Sequence, residues 1–297
     1  MAKRSIWADY LELCKPRVVM MMLLTAIVGM CLSSPSGGIS FSIFILANLG
    51  IGLVASAAAV LNHIADQQFD RLMRRTERRP IAEGRIPTSK SLIFATILCI
   101  IGMTILFCCV NKLTTILTFL SLIGYAVCYT LYLKHATPQN IVIGGIAGAA
   151  PPLLGWTAMT GHVTANALLL VLIIYVWTPP HFWALAIHRS DDYANARIPM
   201  LPNTHGLQFT RLCILLYTIL LLIVTVFPYL SGMSGLIYLI GIIPANLIFF
   251  WYAWKLFLTK DKSWAMPTFR YSIIYLGIIF LLLLVDHYWV SVQVLSS

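Results

Sequence analysis

Six stretches of this chain contain no Asp, Glu, Lys or Arg: 18–65, 91–111, 113–133, 135–188, 212–254 and 271–285. About 20 apolar residues carry a helix across the hydrocarbon core of a bilayer, and each stretch is close to one or two such lengths. The three double-length stretches have turn chemistry in their middles, at Ser33–Gly38, Thr160–Thr164 and Ser231–Gly235, so each reads as a helical hairpin. The expected architecture is an all-α polytopic membrane protein. It is a single domain over 1–297 with nine transmembrane helices near 18–33, 40–61, 91–110, 113–133, 140–159, 165–187, 211–230, 235–257 and 271–291. Composition agrees: 10% of the residues are charged and the mean hydropathy is +0.87, against roughly 25% charged in a soluble domain. That excludes a water-soluble globular protein. The apolar runs are continuous rather than alternating, which excludes a β-barrel.

With the N-terminus in the cytoplasm, 19 of the 20 Lys and Arg residues fall on cytoplasmic segments and only Lys112 lies opposite. This is the asymmetry of the positive-inside rule, and it places the C-terminus on the far side. The net charge of +10 belongs to loops flanking the membrane, which favours anionic lipid and an anionic substrate over nucleic acid. The stretch before Val18 is short and mixed in charge, without a cleavage pattern, and reads as the true N-terminus rather than a signal peptide. Seven cysteines without metal-type spacing read as reduced packing residues.

Function has to come from polar groups that a membrane makes costly. Asn62, Asp66 and Asp70 are spaced i, i+4, i+8 at the expected end of the second span, so on a helix they share one face. Two carboxylates and an amide suit magnesium, which takes one or two carboxylates together with waters and substrate phosphates. The plainer account is a helix end whose acids pair with nearby arginines in solvent. A second acidic pair, Asp191 and Asp192, follows the sixth span; four spans separate the two clusters, so both face the same side. Basic residues accompany them: Arg74, Arg78, Arg79, Lys134, Arg189 and Arg197, of a kind that holds phosphate oxygens. His63, His181 and His188 lie in or beside expected spans. A histidine inside a bundle is more often part of the structure. Gly144, Gly145 and Gly148 read first as close helix packing. Asp286 and His287, near the far end of the last span, read as interfacial, as do Tyr229, Trp251 and Trp289.

Asn62 to Pro80, N-x-x-x-D-x-x-x-D-R-x-M-x-R-T-x-x-R-P, resembles the first aspartate-rich motif of the UbiA superfamily of intramembrane prenyltransferases. KPRVV (15–19), YTLYLKHATPQNIVIGGIAGAAPPLLGW (129–156) and TPPHFWALAIHRSDDYANARIPMLP (178–202) are similar to the haem-farnesylating branch of that superfamily, over roughly residues 10–290. The resemblance implies transfer of farnesyl from farnesyl diphosphate to a vinyl group of haem B, with water added, giving haem O and diphosphate. It implies Mg2+ on Asn62, Asp66 and Asp70, with Asp191 and Asp192 as the second acidic region and Lys134 on diphosphate. Haem is then substrate, with His181, His188 and His63 as the candidate haem contacts and Arg17 or Arg211 for its propionates. The setting is the bacterial cytoplasmic (inner) membrane with the active site toward the cytoplasm, and the protein partners are a haem A synthase or oxidase assembly factors. Two departures stand out: the second region is D-D-Y rather than D-x-x-x-D, and Arg197 stands where a small residue, often glycine, is expected. The alternatives are a prenyltransferase acting on an aromatic quinone precursor, a secondary transporter and a haem chaperone. Acids placed at helix ends beside a strongly basic loop argue against the transporter, and a chaperone has no need of the acid pair.

Overall fold

A computed structural model describes residues 5–34, 38, 40–73 and 76–296, with side chains to 289. Among the described residues the chain is helical, with no strand. A short helix α1 (Ile6–Leu13) leads into α2 (Pro16–Leu32), and α3 (Phe41–Ala65), α4 (Thr88–Cys109), α5 (Lys112–Ala136), α6 (Asn140–Thr160), α7 (Ala165–His188), α8 (Leu207–Leu230), α9 (Leu236–Leu258) and α10 (Ala265–Ser296) follow. Among the described residues eight helices are long and apolar enough to cross a membrane, and α1 with α2, bent by 45°, makes a ninth when the pair is taken as one span.

Each of α2 to α10 packs on the next in sequence, and α10 returns to α2, closing a ring. Lipid solvates apolar side chains as well as protein does, so helices in a membrane associate through close backbone packing and internal polar contacts. Gly29 and Gly155 show the first device. A Cβ at Gly29 would stand 2.1 Å from the Pro152 carbonyl oxygen, and one at Gly155 would stand 1.9 Å from that of Ala26. The backbones of α2 and α6 therefore touch. Gly144 and Gly145 pack against Tyr129 and Thr178, whereas Gly148 meets nothing.

Several expected boundaries move. α3 runs to Ala65 rather than 61, α8 begins at Leu207 rather than 211, and α10 at Ala265 rather than 271. Helices continue past the apolar core once their charged ends reach the interface, and Arg211 and Arg270 are thus inside helices. Ahead of Val18, Ile6–Leu13 form α1. Its buried face holds Asp9 and Leu13, while Ile6, Trp7 and Leu11 are exposed, the pattern of a helix lying at a membrane interface. Gly124–Leu133, within α5, is wound as a wide π-helix. Asp286 is buried, and its carboxylate accepts from the backbone N–H groups of Gly235 (2.5 Å) and Tyr238 (3.1 Å), capping the start of α9. Residues 35–37 of the turn expected at Ser33–Gly38, and Arg74, lie outside the described residues.

Candidate active site at the charged end of the bundle

The last turn of α3 carries Asn62 and His63; Asp66 ends that helix and Asp70 closes a four-residue helix, Gln67–Asp70. Helical register survives the break, because Asp66 N–H donates to the Asn62 carbonyl (2.9 Å) and Asp70 N–H to that of Asp66 (2.8 Å). Asn62, Asp66 and Asp70 accordingly keep one face, and all three are buried.

Each has a cationic partner. Lys134 Nζ, at the end of α5, stands 2.6 Å from Asp66 Oδ2. Arg79 Nη1 lies between both oxygens of Asp70, at 2.8 and 2.7 Å. Lys15 Nζ donates to Asn62 Oδ1 at 2.5 Å, and Asn62 Nδ2 donates to Thr130 Oγ1 at 3.2 Å. Thr130 belongs to the π-helical stretch and bonds the Tyr125 carbonyl five residues back at 2.8 Å. Wide turns of this kind recur at functional sites, and this one sets the end of α5 from which Lys134 reaches Asp66. Lys15 is within electrostatic reach of Asp66, Asp70, Arg79 and Lys134. One cluster thus holds three cations against two carboxylates, and the surplus positive charge suits an anion.

Lys15 was not among the site residues expected from sequence. Its signal was present in KPRVV, but the placement depends on a left-handed backbone (φ 49°, ψ 58°) between α1 and α2. A non-glycine residue in that region stores strain, and such strain gathers at functional sites.

The fit to magnesium can be judged from the donors. Asp66 Oδ1 is buried with no hydrogen-bond partner, and it is a hard oxygen donor of the type magnesium takes. Among the described residues no group of three or more His, Cys, Asp or Glu gathers closely enough to hold a metal by itself. That accords with an ion that draws part of its shell from water and phosphate.

Apart from His63, next to Asn62 in α3, the other expected residues that the structure describes make none of these contacts. Asp191 and Asp192 sit on a short helix, Ser190–Asn195, after α7. The Asp191 side chain is 88% exposed and receives Lys262 Nζ at 3.0 Å on both oxygens. Arg78 and Arg197 are exposed. Arg197 adopts φ 52°, a conformation that glycine takes freely, which is why a small residue was expected there. His188 is exposed, whereas His63 and His181 are buried. His181 Nδ1 stands 2.7 Å from Ser272 Oγ, and its ring stacks on Trp177 and Phe269. Neither ring nitrogen of His63 has a partner.

The model of the UbiA prenyltransferase family matches residues 22–289. Protoheme IX farnesyltransferase 2 of Pseudoalteromonas atlantica is 58% identical over 282 residues, 95% of this chain and 92% of that protein. Protoheme IX farnesyltransferase of Legionella pneumophila (strain Paris) is 56% identical over 283 residues, covering 95% and 96%. Among solved structures, a digeranylgeranylglyceryl phosphate synthase superposes with a TM-score of 0.79 at 22% identity, covering 95% of this chain and 98% of that one. A UbiA homologue from Archaeoglobus fulgidus bound to GPP and Mg2+ superposes with a TM-score of 0.68 at 15% identity, covering 93% and 99%.

Proposed function

The chain belongs to the UbiA prenyltransferase family, and from that membership we propose that it transfers the farnesyl group of farnesyl diphosphate to a vinyl group of haem B, with addition of water, giving haem O and diphosphate. The acceptor rests on the relatives more than half identical over almost the whole chain. Prenyl transfer rests on one observation, the buried cluster of Lys15, Arg79 and Lys134 around Asn62, Asp66 and Asp70.

The chemistry follows from charge. Breaking the allylic C–O bond sends its electron pair to diphosphate and leaves a delocalised cation on the farnesyl chain. Lys15, Arg79 and Lys134 hold the departing anion; a cation about 4 Å from a phosphate oxygen contributes about 4 kcal/mol at an effective dielectric of 20, and each 1.36 kcal/mol off the barrier is tenfold in rate. Asn62, Asp66 and Asp70 are the residues that would hold Mg2+, which would supply neutralisation of the diphosphate charge and so a better leaving group. In the structure Lys134 and Arg79 rest on Asp66 and Asp70; with the carboxylates on a metal, both cations would be available to phosphate. Asp191 and Asp192 are assigned as the second acidic region, where Asp191, paired with Lys262 in the structure, would be a further oxygen donor to the metal. The vinyl group forms its new C–C bond through its terminal carbon, which leaves positive charge beside the porphyrin ring; water adds there and gives up a proton. His181 on its aromatic stack, and His63 with two unpartnered nitrogens, are the side chains assigned to the haem.

The chain is an integral membrane protein. Its setting is the bacterial cytoplasmic membrane with this site toward the cytoplasm, a reading supported by the 19 basic residues that the loop order puts at one end of the bundle. The test is haem extracted from membranes of cells expressing the wild type or Asp66→Ala, separated by chromatography and weighed by mass spectrometry. A farnesylated, hydrated haem is expected only with intact Asp66. Prenylation of an aromatic acid in its place would retain the fold and overturn the acceptor.

A further inference from the structure

Asp9 is a buried carboxylate outside the cluster just described, on the inner face of α1. It forms an ion pair with Arg85, 76 residues further along the chain. Arg85 also donates through Nη2 to the Arg78 carbonyl at 2.7 Å and through Nε to Glu83 at 2.6 Å. The residue after Arg78 is Arg79, whose guanidinium is set on Asp70. A continuous chain of bonds therefore runs from Asp9 through Arg85 and the Arg78 carbonyl to a site cation. A second connection starts from the same helix. α1 ends at Leu13 and Lys15 follows in its left-handed turn with its amine on Asn62. Leu13 packs in one cluster with Val60 of α3 and with Ile81 and Ile86 of the 76–87 segment, so α1 is fixed to the helix that carries Asn62 and to the segment that carries Arg79.

The geometry points to Asp9 as a positioning residue: through Arg85 it sets where Arg79 and Lys15 stand, and so it governs diphosphate binding without touching the diphosphate. The pair crosses from α1 to the loop, while packing of Leu13 holds the fold. Loss of the Asp9 charge loosens the placement of the cations and leaves the helix docked. This inference rests on the proposed role of the cluster in holding diphosphate.

The test uses the full-length protein in lipid nanodiscs. Binding of inorganic diphosphate with Mg2+ is titrated calorimetrically for the wild type, Asp9→Asn, Asp9→Glu and Arg85→Gln, and the KM values for farnesyl diphosphate and haem B are measured beside it. Asp9→Asn is expected to weaken diphosphate binding about tenfold and to raise the farnesyl diphosphate KM likewise. The haem KM and the thermal midpoint should stay near those of the wild type. Asp9→Glu should restore most of the loss, and Asp9→Asn combined with Arg85→Gln should cost less than the sum of the two single losses, since the Asp9–Arg85 connection is broken in both. Wild type that binds diphosphate beside an Asp9→Asn that binds it equally well overturns the role of Asp9. A uniform loss that follows the thermal midpoint also overturns it, as a structural effect. Wild type that fails to bind diphosphate overturns the reading of the cluster, and this inference with it.

Discussion

Near the middle of α9, Asn246 accepts the Tyr275 hydroxyl proton at 2.6 Å and donates to Thr225 Oγ1 at 3.1 Å, while the Tyr238 hydroxyl donates to the Thr225 carbonyl at 2.7 Å. These side chains are buried, neutral and drawn from three helices, and none has an orphaned polar atom. At the charged end of α3 the accounting is different. Asp66 Oδ1 and both nitrogens of His63 are buried without partners, and three cations share two carboxylates. A fully bonded neutral network costs little to bury and fixes helix register, whereas orphaned atoms and surplus charge in a dry setting cost stability. The first region serves the fold. The second is kept at a cost to the fold, which is the usual mark of a functional site.

The comparison predicts opposite signs for two substitutions. Lys15→Met removes the surplus cation and keeps the length of the stem. Turnover should fall on the order of a hundredfold, as expected for loss of about 3 kcal/mol of transition-state charge stabilisation, while stability rises by about 1 kcal/mol. Turnover with farnesyl diphosphate and haem B, and thermal unfolding in detergent, measure the two quantities. A fall in both would show that Lys15 supports the fold, and the contrast between the regions would fail. Asn246→Leu should do the reverse. It strands the Tyr275 hydroxyl and costs about 1–2 kcal/mol of stability, with turnover per folded molecule within about twofold of wild type. A large loss of turnover would bring the neutral network into the chemistry.

How much of this was legible in sequence differs between the two regions. The spans stood out because a charge inside a bilayer is costly, so the charge-free stretches traced the helices almost directly. Asn62, Asp66 and Asp70 were legible because helical spacing is a local property, and their register survives the end of α3. Which of several arginines reaches an acid of the α3 cluster was not legible: Arg79 does, Arg78 is exposed, and the choice is made by the turns of residues 76–87. Lys15 was passed over because a lysine before a first span also serves topology, and only its left-handed turn brings it inward. The Asp9–Arg85 pair and the cap that Asp286 gives α9 join residues 76 and about 50 positions apart, and periodicity carries no trace of such contacts. Asn246 and Thr225 gave no signal either, since a single neutral polar residue in an apolar helix can face lipid, a partner helix or a cavity.

The smallest effect concerns the second acidic pair, which sequence placed with the metal and whose first member the structure ties to Lys262. An ion pair with the carboxylate side chain 88% exposed is worth about 0–1 kcal/mol, so Lys262→Ala should leave the thermal midpoint in place. If Lys262 competes with the metal for Asp191, its removal lowers the Mg2+ concentration for half-maximal turnover by up to about fivefold, the equivalent of that energy. The maximal rate should not change, because Asp191 reaches the same bound state with or without a competitor. Titrating Mg2+ at saturating farnesyl diphosphate separates the outcomes. A rise in the half-maximal concentration would mean that Lys262 itself holds phosphate. No change in the Lys262 variant, together with no change in Asp191→Asn, would confine metal binding to the α3 cluster and leave Asp191 a solvated surface residue.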